Sequence, residues 1–190
     1  MFWYGLLKFL AYALTLLWGT VAFLRMFLQR GGLAASHPFA RFLVFATQWA
    51  VKPLRRFAKP VAGWDFAIPV AVLLLCLLER ALILGVAVAV NPDALKPGRF
   101  VWEGAAAALL FTSCLANAAT LVMIYRWLSF HFFFDGGSAG RAVEFVYKGL
   151  TKPVTTGNEK VDRFGHAVLF LFLFSWGPVI APAIMQGLTG

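Results

Sequence analysis

The sequence predicts an all-α membrane protein with four transmembrane helices arranged as two parallel helical hairpins, each closed by a cytoplasmic amphipathic helix. Three observations carry this reading. The 190-residue chain is 61% apolar and 13% charged, with a mean hydropathy of +0.79, against roughly 45–50% apolar and about 25% charged for soluble domains. Four apolar stretches reach the roughly 20 residues that a helix needs to cross a bilayer. The net charge of +9 is concentrated between them, with 13 of the 17 Lys and Arg residues in two loops. Those figures exclude disorder and disulfide scaffolds, and Cys76 and Cys114 both lie inside apolar runs.

Span one covers residues 2–24 and is interrupted only by Lys8. Its positive charges, Arg25 and Arg30, follow the apolar run, the pattern of an uncleaved anchor and not of a signal peptide. The basic loop 25–65 carries seven Lys and Arg residues. Within it, Phe39, Phe42, Leu43, Ala46, Trp49 and Ala50 follow helical spacing, with Arg41, Gln48, Lys52 and a misplaced Phe45 opposite. Span two covers 66–90 and contains Glu79 and Arg80; a short external loop, 91–103, follows. Span three, 104–124, is uncharged, and its Gly104–Ala108 and Ala116–Ala119 stretches suit close packing, with Asn117 as an interhelical hydrogen-bonding group. Loop 125–166 carries six basic residues. Over 140–152 it places Arg141, Glu144, Lys148 and Thr151 on one side and Ala142, Val143, Val146 and Leu150 on the other, with Glu144 and Lys148 a favourable i,i+4 pair. Span four covers 167–188, with Pro178 and Pro182 expected to bend or break its second half. Each amphipathic segment either lies on the membrane surface or packs on the bundle of spans. The bias of basic charge puts both long loops in the cytoplasm and both termini outside.

The two halves, 1–90 and 104–190, share an order: span, basic residue, amphipathic helix, Thr near a Lys-Pro, an aspartate, then span. The first reads Leu24-Arg25, Thr47, Lys52-Pro53, Trp64-Asp65-Phe66 and the second Tyr125-Arg126, Thr151-Lys152-Pro153, Val161-Asp162-Arg163. Thr47 and Asp65 are 18 residues apart and Thr151 and Asp162 are 11 apart, so an internal parallel repeat is an expectation about architecture.

Between the first two spans the chain has His37-Pro38, Thr47-Gln48-Trp49, Pro53-Leu54-Arg55-Arg56, Pro60 and Gly63-Trp64-Asp65. In this order and spacing the residues resemble the YggT/YlmG family of small bacterial and plastid membrane proteins. The family repeat carries Asn-Pro, Thr-x-Pro, Pro-Leu/Ile-Arg-Arg, Pro and Gly-x-Asp. His37 stands where the family has Asn, and Trp49 where it has Pro. The second half keeps Thr151, Pro153 and Asp162 but has Thr155-Thr156-Gly157-Asn158 in place of the arginine block. The resemblance covers the whole chain in architecture and about residues 24–70 in motif. It implies a membrane protein without enzymatic activity. The bacterial members are associated with cell-division gene neighbourhoods, envelope organisation and osmotic tolerance, and the plastid members with nucleoid distribution and cytochrome haem attachment.

Several residues invite a functional reading. Lys52, Pro53, Arg55, Arg56 and Lys59 form a cationic block at the headgroup level, either a docking surface for anionic lipid or a partner protein, or a topology signal. Asp65 and Asp162 stand at span entrances, where an acid caps a helix and complements its dipole, or pairs with the arginines. Glu79 and Arg80 are intramembrane charges, which face a bundle interior, a cavity or a partner; as neighbours about 100° apart, they are not expected to pair with each other. His37, His131 and His166 have no haem- or metal-ligand spacing, and there is no phosphate loop or nucleophile set. The expectation is therefore no enzyme, no cofactor, no metal and no direct nucleic-acid partner. The partners are the lipid bilayer, anionic lipids in particular, and other membrane proteins, with a homo-oligomer left open. The function expected is an envelope organiser or assembly factor. The alternative is a small oligomeric channel or transporter component using Glu79 and Arg80.

Overall fold

Among the described residues of the computed structural model, three helices are long and apolar enough to cross a membrane. The structure describes residues 2–92, 98–132, 137–176, 180, 181, 183 and 184. In chain order these form α1 (Phe2–Arg30), α2 (Pro38–Leu54), α3 (Ala67–Val90), α4 (Arg99–Phe132), α5 (Gly137–Thr151), a 3-10 turn (Lys152–Val154) and α6 (Glu159–Ser175).

The helices α1 and α4 outrun the expected spans 2–24 and 104–124. At 1.5 Å per residue they are about 43 and 51 Å long, against a hydrocarbon core of about 30 Å. An arginine does not stop a helix, so Arg25, Arg99 and Arg126 sit inside helical segments and not in loops. What ends α1 is Gly32, at φ +83°. Its N–H donates to Gln29 O and the N–H of Leu33 to Leu28 O, and both Leu28 and Leu33 are buried. This is a Schellman closure with its hydrophobic contact. Helix α2 starts with Pro38 in the first turn, and its N-cap His37 accepts from the Phe39 N–H at 3.2 Å through Nδ1. Pro53 does not stop α2; it lies inside the last turn, and the helix ends one residue later at Leu54.

The fourth span falls only partly within the described residues. The apolar stretch of α6, Gly165–Ser175, is shorter than a crossing helix requires. Most of the remainder of 167–188, including Pro178 and Pro182, lies outside the described residues.

Helices α1 and α4 form the centre: α1 packs on α2, α3, α4 and α5, and α4 on α3, α5 and α6. Close approach depends on small residues, as in membrane bundles generally. Gly19 faces Cys114 and Val72, and Ala106, Ala107 and Ala118 of α4 are fully buried. Both amphipathic helices pack on the bundle. Helix α2 buries Ala40, Leu43, Thr47 and Val51, and α5 buries Ala142, Val143, Val146 and Thr151. Two expectations are thereby corrected. Thr151, assigned to the polar side of α5, is buried. Phe39, Phe42 and Trp49, placed on the apolar side of α2, do not face the bundle but are exposed together with Phe45, itself 84% exposed.

The end of α1 crosses α5 so tightly that a Cβ on Gly31 would lie 2.8 Å from Ala142 Cα and closer still to its carbonyl oxygen. Backbone cannot yield as a side chain can. Gly31→Ala should therefore cost about 1–3 kcal/mol, the usual penalty of overpacking. Gly149→Ala, in open space on α5, should cost nothing or stabilise by about 0.5–1 kcal/mol. Thermal unfolding of the two variants in one detergent checks the difference.

Candidate functional site

The residues of the motif block meet where α1, α2 and the α2–α3 connection converge. Arg25, on α1, is 2% exposed, and a buried guanidinium must find acceptors. Its Nη1 donates to Thr47 Oγ1 at 2.7 Å, and the same hydroxyl donates to Leu43 O at 2.7 Å within α2. A hydroxyl can do both at once because it has one proton and two lone pairs. Thr47 is fully buried for this reason: it occupies the buried stripe of α2 and turns a polar atom toward α1.

The following loop makes the second contact. Val61 and Trp64 exchange two backbone hydrogen bonds, of 3.0 and 2.9 Å, around Ala62 and Gly63 at φ +51° and +82°. Two positive φ values in a two-residue turn are the type I′ geometry, which glycine enters without strain. The turn sends the chain back toward α2, so Asp65 Oδ2 accepts from Arg55 Nε at 3.0 Å and from its Nη2. Asp65 thus pairs with the arginine block; it does not cap α3, whose N-cap is Phe66 without a side-chain hydrogen bond. Between turn and bundle, the Arg30 guanidinium lies over the rings of Trp64 at 5.8 Å and Phe145 at 5.5 Å, tying the turn to α5 by cation–π contact.

The second half builds its junction with other groups. Arg126 of α4 pairs with Glu144 of α5, and Lys148 reaches the same carboxylate at 3.5 Å, the expected i,i+4 pair. Thr151 donates to Tyr147 O at 3.0 Å, as Thr47 does to Leu43 O. His166 uses both ring nitrogens, Nδ1 with the Tyr147 hydroxyl at 3.1 Å and Nε2 with Thr155 Oγ1 at 3.2 Å. Asp162, in the first turn of α6, accepts from the N–H groups of Thr156 and Gly157 and from the Thr156 hydroxyl. Those donors, the Thr156 N–H first, hold its carboxyl below the usual carboxylate range.

The remaining residues of the basic block divide. Arg55 is half-occupied by Asp65. Lys52, Pro53, Arg56, Lys59 and Pro60 are exposed, with Phe57 beside them 87% exposed. Phe42, Phe45 and Trp49 occupy one arc of α2 and Arg41, Gln48 and Lys52 the next, at about 100° per residue. The exposed surface is therefore aromatic along one edge and cationic along the other.

Deeper in the bundle, Glu79 and Arg80 are 5% and 2% exposed. Contrary to expectation, they pair with each other, Arg80 Nε and Nη2 donating to the two oxygens of Glu79. The angle of about 100° between their Cα directions is bridged because both arms are long enough to turn toward each other. One further buried charge was not expected from the sequence. Glu103, 6% exposed, lies one turn into α4 and accepts from Arg99 Nε at 3.1 Å. Its signal is the i,i+4 spacing to Arg99, hidden because Glu103 falls one residue before the expected start of span three.

Two substitutions separate these contacts. Thr47→Val keeps shape and removes the hydroxyl bonded to Arg25 Nη1, so it should cost about 1.5–3 kcal/mol, the loss of a hydrogen bond to a buried charge. Asp65→Asn, whose partner is partly exposed, should cost about 1 kcal/mol or less. Melting temperatures of the two in the same detergent test this ranking; equal losses would contradict it.

Residues 3–86 match the CCB3/YggT family. The whole chain is 29% identical over 195 aligned positions to the "Uncharacterized protein in proC 3'region" of Vibrio alginolyticus, covering 95% of this chain and 98% of that protein. No solved structure matches. The contacts that join Arg25 to Thr47 and Arg55 to Asp65 lie wholly inside the segment that matches the CCB3/YggT family.

Proposed function

We propose that this protein is a non-enzymatic organiser or assembly factor of the bacterial inner membrane that gathers anionic lipid around itself through the exposed face of α2 and the segment to Lys59. The observation that carries this reading is the adjacency of exposed aromatics and exposed cations on one short element: Phe42, Phe45, Trp49 and Phe57 beside Lys52, Arg56 and Lys59. Aromatic rings favour the membrane–water boundary. A cation beside them there is worth about 1 kcal/mol against an anionic surface, so three contribute about 3 kcal/mol before ordering costs. The scaffold holds this face in place, because Thr47 and Arg55 pin the element to α1 and Asp65. The basic loops face the cytoplasm in this reading, by the excess of Lys and Arg they carry.

The channel alternative has less physical support than the sequence suggested. Its two intramembrane charges neutralise each other within α3, and both oxygens of Glu79 are engaged by Arg80, where a relay or an ion would need one of them.

Lipid composition around the protein tests the proposal. Excised from membranes in polymer nanodiscs, the wild type should carry a phosphatidylglycerol fraction clearly above that of the bulk membrane. The triple variant Lys52→Gln, Arg56→Gln, Lys59→Gln should fall to the bulk value while keeping its melting temperature, since all three side chains stand exposed on the surface. An unchanged lipid fraction would overturn the lipid reading. Loss of a reproducible set of co-purifying membrane proteins, with lipid unchanged, would reassign the surface to a protein partner.

A further inference from the structure

A second polar feature lies away from the α2 surface, at the end of the bundle where α3 and α4 connect. There a recess of about 550 Å³ is lined by Arg80, Glu103, Leu77, Leu84, Gly85 and Phe100. Leu77, Gly85 and Phe100 are exposed, so the recess opens sideways, toward lipid in an embedded chain. Each of its two charged groups is partly engaged and has one polar atom left over. Arg80 gives Nε and Nη2 to Glu79, yet its buried Nη1 has no partner among the described residues; Glu103 takes Arg99 on Oε1, yet its buried Oε2 has none. A buried donor and a buried acceptor without partners are each expensive in a low-dielectric site. Both belong to residues at least nine-tenths buried, and both residues line the same recess.

The charges on the walls and those paired directly with them specify the ligand. Glu79, Arg80, Arg99 and Glu103 sum to zero, so a ligand with net charge would add an uncompensated charge to an apolar cavity. A ligand of zero net charge that carries both an anionic acceptor and a hydrogen-bonding cation adds none and satisfies both orphaned atoms. Glu103 stands about 6 Å along α4, near headgroup depth, and Arg80 about 15 Å from the end of α3, at 1.5 Å per residue, so the site is graded from polar to apolar. We propose that the recess binds one zwitterionic phospholipid with a primary ammonium. Its phosphate accepts from Arg80 Nη1, its ammonium donates to Glu103 Oε2, and one acyl chain lies along Leu77 and Leu84.

Native mass spectrometry of the full chain tests this, after exchange into micelles holding equal amounts of phosphatidylethanolamine, phosphatidylcholine and phosphatidylglycerol. One phosphatidylethanolamine per chain should be retained, at least tenfold over the other two lipids. Phosphatidylcholine is the informative competitor, having the same net charge and no ammonium N–H. Glu103→Gln should reduce the preference over phosphatidylcholine to near unity. Gly85→Leu, whose side chain grows into space with nothing within 4 Å of its Cβ, should expel the lipid while the protein stays monodisperse, and it decides the matter should Glu103→Gln not fold. Equal retention of all three lipids, a preference untouched by Gly85→Leu, or a lipid-free dimer sealed at this recess would overturn the proposal. None of these outcomes bears on the α2 surface, which is tested by phosphatidylglycerol.

Discussion

A guanidinium placed at the end of an apolar helix must be given an acceptor before the helix can be covered, and Arg25 is that guanidinium. It is buried where α1 meets α2, and the acceptor is the hydroxyl of Thr47. Much else at this end of the molecule follows from that contact. To present Thr47, α2 must lie with the Leu43–Thr47–Val51 stripe against α1. With that stripe inward, Phe42, Phe45 and Trp49 are turned out, and Lys52 and Arg56 stand clear of the bundle. The chain then has to return from the end of α2 to the start of α3. The turn of Val61–Trp64 makes that return and delivers Asp65 to Arg55. The ordered residues of the motif are therefore parts of one device. Thr47 supplies an acceptor, Arg55 a cation, Gly63 a positive φ, Trp64 a ring and Asp65 an anion.

The positions of these groups were legible in the sequence, and the contacts between them were not. Composition and loop charge were enough for helices that cross a membrane, and 3.6-residue spacing was enough for α2 and α5. Which face of α2 is buried could not be read from spacing. In water an aromatic stripe marks the core, but lipid is as apolar as the core itself, so Phe42 and Trp49 satisfy their chemistry equally well facing outward. The polar atom of Thr47 is the better guide to the inside, because a bundle end with a buried arginine needs a hydroxyl there. Asp65 takes the second of the two roles open to it, pairing and not capping, for a related reason. The helix-capping rule is local, whereas its actual partner, ten residues away, is reached only through the conformation of Ala62 and Gly63. The ends of α1 and α4 are hidden for a different one. A charge at headgroup depth does not interrupt backbone hydrogen bonding, so the charged residues that bound an apolar run do not mark where its helix stops.

The two halves of the chain answer the same demand with different chemistry. Arg25 gives Nη1 to a neutral hydroxyl and remains a net positive charge inside the bundle, balanced nearby by Asp65. Arg126 is satisfied by the carboxylate of Glu144, which also attracts Lys148. The first arrangement is dry and geometrically exacting, since Thr47 must donate and accept at once. The second is about one-third exposed at both partners and tolerates more movement, as surface ion pairs do. The exposed aromatic and cationic residues are carried by the half with the stricter junction, which keeps that surface in fixed orientation to the spans.

Charge inside the spans is handled by a third route, with consequences for assembly. Glu79 and Arg80 neutralise each other through contacts made within one helix, so α3 can enter the membrane as a locally neutral rod before any other helix has packed on it. Pairing with a sequence neighbour thereby avoids the cost of an isolated intramembrane charge, which is several kcal/mol even on permissive insertion scales. Arg25 has no such neighbour. Placed five residues from the end of α1, it can extend its long stem to the headgroups while α1 stands alone, and it withdraws into the bundle only when α2 supplies Thr47. The pairing of Glu79 with Arg80 is therefore complete within α3, whereas the burial of Arg25 depends on the docking of α2.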